Sequence, residues 1–282
     1  MEKLAIITPG VLPVPDIDGG AIEKLITIFI EENELDCQFD IDVYPSKNYL
    51  LDKFCYKNTK IIQIKSNQFL DSLRLKINKY VNFINRKILK RCSNGLLSSF
   101  NKKCYKIVKH KNYDFILVEG NYPILKKMQL IDTKIVYHNH WDDVNEELSS
   151  LKKRYFFDIF SSLFSHISVS SYIQKNTNLV TKIDSKNFVV ENCISNNWLE
   201  KASLEKAKTI REMYLNNNEK LLMYSGRISP EKGVLELVES FCKANINGWK
   251  LVIVGGSNYS SNKITNYVKE VKKLARNNKN IF

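Results

Sequence analysis

The chain is short of acid. Against 43 Lys and Arg stand 30 Asp and Glu, a formal net charge of +13. That excess calls for an acidic partner: nucleic acid, anionic lipid or a phosphorylated substrate. Nucleic acid is the weakest of the three and is not expected, because zinc-finger spacings, an RNP motif and a compact helix-turn-helix pattern are all missing. No apolar run approaches the ~20 residues needed to span a bilayer. The opening residues, Met1 to Gly10, begin a strand at once and lack a signal-peptide layout. A cytoplasmic protein is expected, soluble or held peripherally on the inner face of the plasma membrane. The six cysteines (Cys37, Cys55, Cys92, Cys104, Cys193 and Cys242) form no C-x-x-C pair, and several fall inside apolar runs. They read as reduced, buried residues. Histidine is scarce too: only His110, His138, His140 and His166. A zinc centre needs three or four ligands, and two of these histidines lie in other elements, so no metal is expected. Neither G-x-x-x-x-G-K-[ST] nor G-x-G-x-x-G occurs, which excludes a P-loop and a dinucleotide fingerprint.

What is present is 44% hydrophobic residues in 282, enough for one large domain or two of ordinary size. Short apolar runs alternate with amphipathic stretches, the pattern of doubly wound α/β sheets. The chain is organised around 221–241. The apolar run Leu221 to Tyr224 predicts a buried parallel strand, stopped by Ser225-Gly226. A helix is expected after Pro230, with Val234, Leu235, Val238 and Phe241 on one face and Glu236 and Glu239 off it. Such a turn aims backbone N–H groups and the positive end of a helix dipole at one spot, where Arg227 and Lys232 add two cations. This suits a phosphorylated ligand.

Earlier in the chain, the strand Leu4 to Thr8 is followed by a loop closing in Asp18-Gly19-Gly20 before an amphipathic helix. The double glycine lets backbone approach a ligand, or simply gives the helix a pliable entry. Strands are expected at 40–44, 60–64, 115–119, 166–169, 187–190 and 250–254, the last ending in Gly255-Gly256. Lys134 to His140 reads as a strand running into the polar loop Trp141-Asp142-Asp143, which puts His138 and His140 at the carboxyl edge of a parallel sheet, where such sheets place ligands. Residues 71–92 form a basic amphipathic helix, either lying on an anionic bilayer surface or packed on the sheet with a solvated basic back. Helices are also expected over 201–214 and 263–276, and the last residues, Asn280 to Phe282, look like the opening of another strand.

Gly226-Arg227-Ile-Ser-Pro-Glu231-Lys232-Gly233 resembles the G-R-x-x-x-E-K-G signature of family 4 (group 1) glycosyltransferases. The resemblance implies a GT-B-like α/β architecture: two Rossmann-like, doubly wound domains facing a cleft, an acceptor-side domain over 1–195 and an incomplete nucleotide-sugar-binding domain over 196–282. It implies retaining transfer of a sugar from a nucleotide-diphosphate donor to a hydroxyl of a glycan or lipid-linked acceptor, in cell-surface polysaccharide or glycolipid synthesis, with no metal or other cofactor. By the same resemblance Arg227 and Lys232 neutralise the leaving diphosphate, while Gly19, Gly20, Gly226, Glu231, Gly255 and Gly256 line the donor. His140 faces the transferred sugar, with His138 the neighbour that could be miscounted for it and Asp142 nearby on the acceptor or sugar side. The family's crossover between domains is matched at Glu191 to Ile194, except that Cys193 stands where glycine is usual and Ser195 where an acid is. Its E-x7-E segment, whose glutamates hold ribose and sugar, is not found, so these 282 residues alone are expected to transfer no sugar. Two other classes stay open: a non-catalytic fragment that binds membrane or a partner, and a sugar-nucleotide epimerase on the same fold, whose acidic catalytic residues are not recognisable.

Overall fold

A computed structural model describes residues 1–90 (the Arg86 side chain excepted), 92, 95–195, 204–216, 218–257 and 264–282. The chain divides into two compact units, Met1–Ile194 and Ser195–Phe282.

The first unit contains the strands β1 (Glu2–Ile7), β2 (Phe39–Tyr44), β3 (Thr59–Ile61), β4 (Phe115–Glu119), β5 (Lys134–Asn139), β6 (Ser165–Ser168) and β7 (Asn187–Val189). They form one sheet in the order β3-β2-β1-β4-β5-β6-β7, every pair parallel. The order runs outward in both directions from the β1–β4 junction, the switch point of a doubly wound sheet. Its helices are α1 (Ala21–Asp36), α2 (Gln68–Lys87), α3 (Ser99–Val108), α4 (Tyr122–Met128), α5 (Ser150–Phe160) and α6 (Ser171–Thr181).

Alternation along β1 divides the core. Leu4 and Ile6 pack with Ile22, Ile26 and Ile30 of α1 on one face. Ala5 and Ile7 face the other way, toward a cluster that includes Cys104, Leu125 and Phe160. Each fully buried Ile contributes about 1.5–3 kcal/mol of transfer free energy. Each strand expected in this unit is present, though β3 ends at Ile61 rather than residue 64 and α2 spans Gln68–Lys87 rather than 71–92, whereas α3 and α5 add to the expected set. Ser98 caps α3 by accepting a hydrogen bond from Asn101 N–H at 3.1 Å, an N-terminal signal written in the sequence.

The second unit contains α7 (Leu204–Tyr214), β8 (Lys220–Ser225), α8 (Val234–Ala244), β9 (Trp249–Val254) and α9 (Asn266–Ala275), with β8 and β9 parallel. The chain terminus begins to pair with β9 through a parallel bridge between Leu251 and Ile281. One face of this sheet packs on α8 and α9 through Leu251, Val234, Val238, Phe241, Val268 and Val271.

Two expectations, the buried strand at 221–224 and the buried cysteines, need correcting. The strand at 221–224 is not buried on both faces: Leu222 and Met223, which point to opposite faces, are both exposed. The helix expected after Pro230 is α8, with Val234, Val238 and Phe241 buried. Pro230–Lys232 is a single 3-10 turn, Gly233 takes the left-handed conformation at φ 64°, and α8 begins at Val234. Cysteine burial holds for Cys104, whose thiol burial pushes up to about 12, but Cys37, Cys55 and Cys193 are exposed. The expected helical residues 201–203, Lys263 and Arg91 lie outside the described residues. No helix among the described residues is long and apolar enough to cross a membrane.

Candidate functional site

The residues singled out from the sequence fall in both units, and each group is described within its own unit.

In the first unit they gather at the carboxyl edge of the sheet. Glu119 ends β4, and in the parallel register it stands opposite His138 on β5. Its carboxylate Oε2 lies 2.7 Å from His140 Nε2 and 3.1 Å from His138 Nδ1. The two imidazole centroids are 4.1 Å apart. A carboxylate only accepts, so it draws a proton onto Nε2 of His140 and onto Nδ1 of His138. In the neutral form of each ring the opposite nitrogen, His140 Nδ1 or His138 Nε2, is then the acceptor. Burial pushes the Glu119 carboxyl up, but hydrogen bonds and charge from the two histidines outweigh it and hold the group below the ordinary carboxylate range. The indole of Trp141 lies over Gly120, where a Cβ would come within 2.6 Å of the ring. Gly120 has φ 54°, so the turn after β4 needs glycine on both counts.

Glu119 is the candidate site residue that sequence reasoning missed. The signal was an acidic residue closing the apolar run Phe115 to Val118 just before a glycine. It also corrects the argument against a metal, which counted histidines alone. Glu119, His138 and His140 offer three ligand atoms, all within 4.8 Å of one another. Without an ion the set is already self-consistent, since each imidazole donates to the carboxylate.

Gly19 and Gly20 follow β1 and enter α1 with φ 78° and 106°. A Cβ on Gly20 would meet Glu23 Oε2 at 2.2 Å. Burial raises the Glu23 carboxyl above its ordinary value, with smaller contributions in the same direction from Asp16 and Glu119. Asp142 is turned elsewhere. Its carboxylate accepts from Asn176 Nδ2 at 3.0 Å and Tyr172 Oη at 3.3 Å, which ties the loop after β5 to α6.

In the second unit the two glycine turns meet backbone to backbone. Gly226 N–H donates to Val254 O at 3.0 Å, and Ile228 N–H to Gly256 O at 2.9 Å. Gly226 and Gly255 have φ 157° and 155°, and a Cβ on Gly255 would stand 1.8 Å from Gly226 O. The turns after β8 and β9 are therefore one structure, and it puts Gly226, Arg227, Gly255 and Gly256 together. Arg227 Nη2 lies 3.2 Å from Glu231 Oε1, and the Arg227 carbonyl accepts from Tyr224 Oη at 2.7 Å. Lys232 is exposed at the end of the 3-10 turn. One amide at the α8 N-terminus is already engaged: Leu235 N–H donates to Tyr267 Oη at 2.9 Å.

Residues 205–281 match the family model described as glycosyl transferases group 1. A search of curated proteins gave no match. Among solved structures, the chain is similar to the Anabaena protein HepE in complex with UDP and glucose, at 15% identity and a TM-score of 0.64. It is also similar to a glycosyltransferase from Rickettsia africae, at 20% identity and a TM-score of 0.66. In each case all of this chain is covered and 68% of the other. At these identities the likeness is one of fold. The chain has the α/β, parallel-sheet fold of GT-B glycosyltransferases, and a group 1 glycosyltransferase match spans nearly all of its second unit.

Proposed function

We propose that the protein is a retaining glycosyltransferase that moves a sugar from a nucleotide-diphosphate donor to a hydroxyl of a glycan or lipid-linked acceptor in cell-surface polysaccharide or glycolipid synthesis. The observation that carries this reading is the joined pair of glycine turns at the ends of β8 and β9, with Arg227 and Lys232 on the connection to α8. Breaking the glycosidic bond leaves negative charge on a diphosphate, so the transition state is stabilised by donors already in place. The Arg227 guanidinium supplies a forked donor and Lys232 a point charge. Glu231, 3.2 Å from Arg227, orients the guanidinium. Gly226, Gly255 and Gly256 keep side chains away from the phosphates. These cations supply the charge that a divalent ion supplies elsewhere, so no metal is assigned to the reaction.

His140 presents Nδ1 to a hydroxyl of the transferred sugar, because Glu119 holds its other nitrogen as the donor. A carboxylate committed to two imidazoles is poorly placed as a covalent nucleophile, in keeping with front-face transfer that retains configuration. HepE, a structural neighbour, is known bound to UDP and to UDP-glucose, so uridine compounds are the first donors to try. The test is calorimetric titration of the chain with UDP. Arg227→Ala and Lys232→Ala are each expected to weaken binding at least tenfold, and to lower kcat/KM roughly 100- to 1000-fold in any preparation that transfers sugar. Both variants binding within threefold of the parent would sink the assignment.

A further inference from the structure

Helix α2 sits on the protein the wrong way round. A surface helix normally turns its apolar stripe to the core. Here the inward stripe is mostly polar: Asp71, Arg74, Asn78, Asn82 and Asn85 recur at helical spacing and, with Val81, are its buried or half-buried residues. Their contacts explain why. Asp71 accepts from Ser99 N–H at 2.8 Å and from Ser99 Oγ at 2.6 Å. Asn78 accepts from Leu96 N–H at 2.7 Å and donates to Leu96 O at 3.1 Å, and Arg74 Nη1 also donates to that carbonyl. The helix is fastened by hydrogen bonds to the segment leading into α3.

The consequence is an apolar face turned outward. Phe69, Leu73, Tyr80, Phe83, Ile84 and Ile88 follow one another along it, and Phe69, Tyr80 and Ile88 are 77%, 73% and 68% exposed. Lys76 and Lys87 stand within the row at helical spacing and Lys79 and Lys90 lie beside it, all four exposed, and no acidic residue occurs between Ser72 and Lys90. At 1.5 Å per residue the 20-residue helix runs about 30 Å. An exposed row of apolar side chains of that length, interleaved with lysines, marks an interaction site. A second copy of the chain would bring the same lysines against these, which like-charge repulsion opposes. An anionic bilayer surface satisfies both features, since it takes apolar side chains below the headgroups and lysines among them.

We infer that α2 is a membrane-docking helix that lies in the interface of an anionic bilayer, with Phe69, Leu73, Tyr80 and Phe83 inserted and the lysines on lipid headgroups. This goes beyond the proposed sugar transfer and does not depend on it. The experiment is sedimentation of the full chain with phosphatidylcholine vesicles, pure or with one part in four of phosphatidylglycerol. Binding is expected only to the anionic vesicles, falling at least about tenfold from low to high salt. Lys76→Glu/Lys79→Glu/Lys87→Glu should weaken it about 100-fold, as three lost headgroup contacts imply. Leu73→Ser/Tyr80→Ser/Phe83→Ser should weaken it at least tenfold. Because the whole chain is basic, Lys269→Glu/Lys272→Glu/Lys273→Glu on α9 is the charge-matched control, expected within threefold of the parent. All substituted side chains are exposed or face outward, and circular dichroism checks that each variant is folded. Four results would each overturn the inference: equal binding to pure phosphatidylcholine, no binding at all, an equal loss in the α9 control, or binding that survives the three serines.

Discussion

Substituting alanine at Gly255 tests the idea that the two glycine turns of the second unit are one structure. The added Cβ would fall 1.8 Å from Gly226 O and 2.9 Å from Gly226 C, and both are backbone atoms that no rotamer change can move aside. Relief requires the turns to separate, which breaks the Gly226–Val254 and Ile228–Gly256 hydrogen bonds. At about 1 kcal/mol each, the two bonds contribute about 2 kcal/mol. Placing a side chain at φ 155° adds about 1 kcal/mol or more of backbone strain. Gly248→Ala is the matched control, since Gly248 has φ 74° but nothing within 4 Å of the added Cβ, so it carries strain alone. The difference of about 2 kcal/mol corresponds to roughly 30-fold more frequent opening. Hydrogen exchange of peptides covering β8 and β9 reads that difference, with β1 and β4 as internal references. UDP affinity should fall with it in Gly255→Ala. Equal exchange in the two variants would mean the turns are independent and the donor pocket is not built as described.

His166 gives an acid-side prediction. Burial lowers its pKa to about 4, and its Nδ1 pairs with Asn187 Oδ1 at 3.0 Å, so the ring folds neutral. The depressed value means its contribution is fully present above the unfolded pKa near 6.5 and is lost as pH falls toward 4, a change of about 3 kcal/mol. Urea midpoints of the first unit at neutral pH and near pH 4.5 should differ by much less in His166→Gln than in the parent, and an unchanged difference would refute it. Glu119→Gln removes the charge that fixes both imidazoles, at a cost of about 2 kcal/mol in stability. In the parent, nitrogen NMR should find the proton on Nε2 of His140 and Nδ1 of His138, and the variant should lose that preference. A parent spectrum with the reverse tautomers would dismiss the role given to Glu119.

What could be read from the sequence was contiguous. Strand β4 is a four-residue apolar run followed by Glu119 and a glycine, and Arg227 and Lys232 lie within one eight-residue motif. The helix α2 was visible as a period but not as a direction. Pattern reading assigns the apolar side to the core by default, and only the partners at Leu96 and Ser99 reverse it. Those partners lie 18 and 28 residues away, on a segment with no periodic signal of its own. The exposure of β8 was hidden for a related reason. An apolar run predicts a strand that wants two covered faces, but what covers them is decided by other elements.

The histidine pair shows the limit most clearly. Residue spacing places His138 and His140 two apart on a strand, where alternation gives them the same face, and says nothing about what they meet. Their common partner comes from β4, and it meets them only because β4 and β5 are neighbours in parallel register, with Glu119 opposite His138. That adjacency also fixes chemistry. A lone histidine at a sheet edge can carry its proton on either nitrogen, whereas a carboxylate 2.7 Å from Nε2 selects one form and leaves Nδ1 as the acceptor. The tautomer of His140 is therefore a property of sheet topology, not of the residues around it in sequence. Any substitution that shifts β4 against β5 should alter that tautomer even where both histidines and Glu119 are kept.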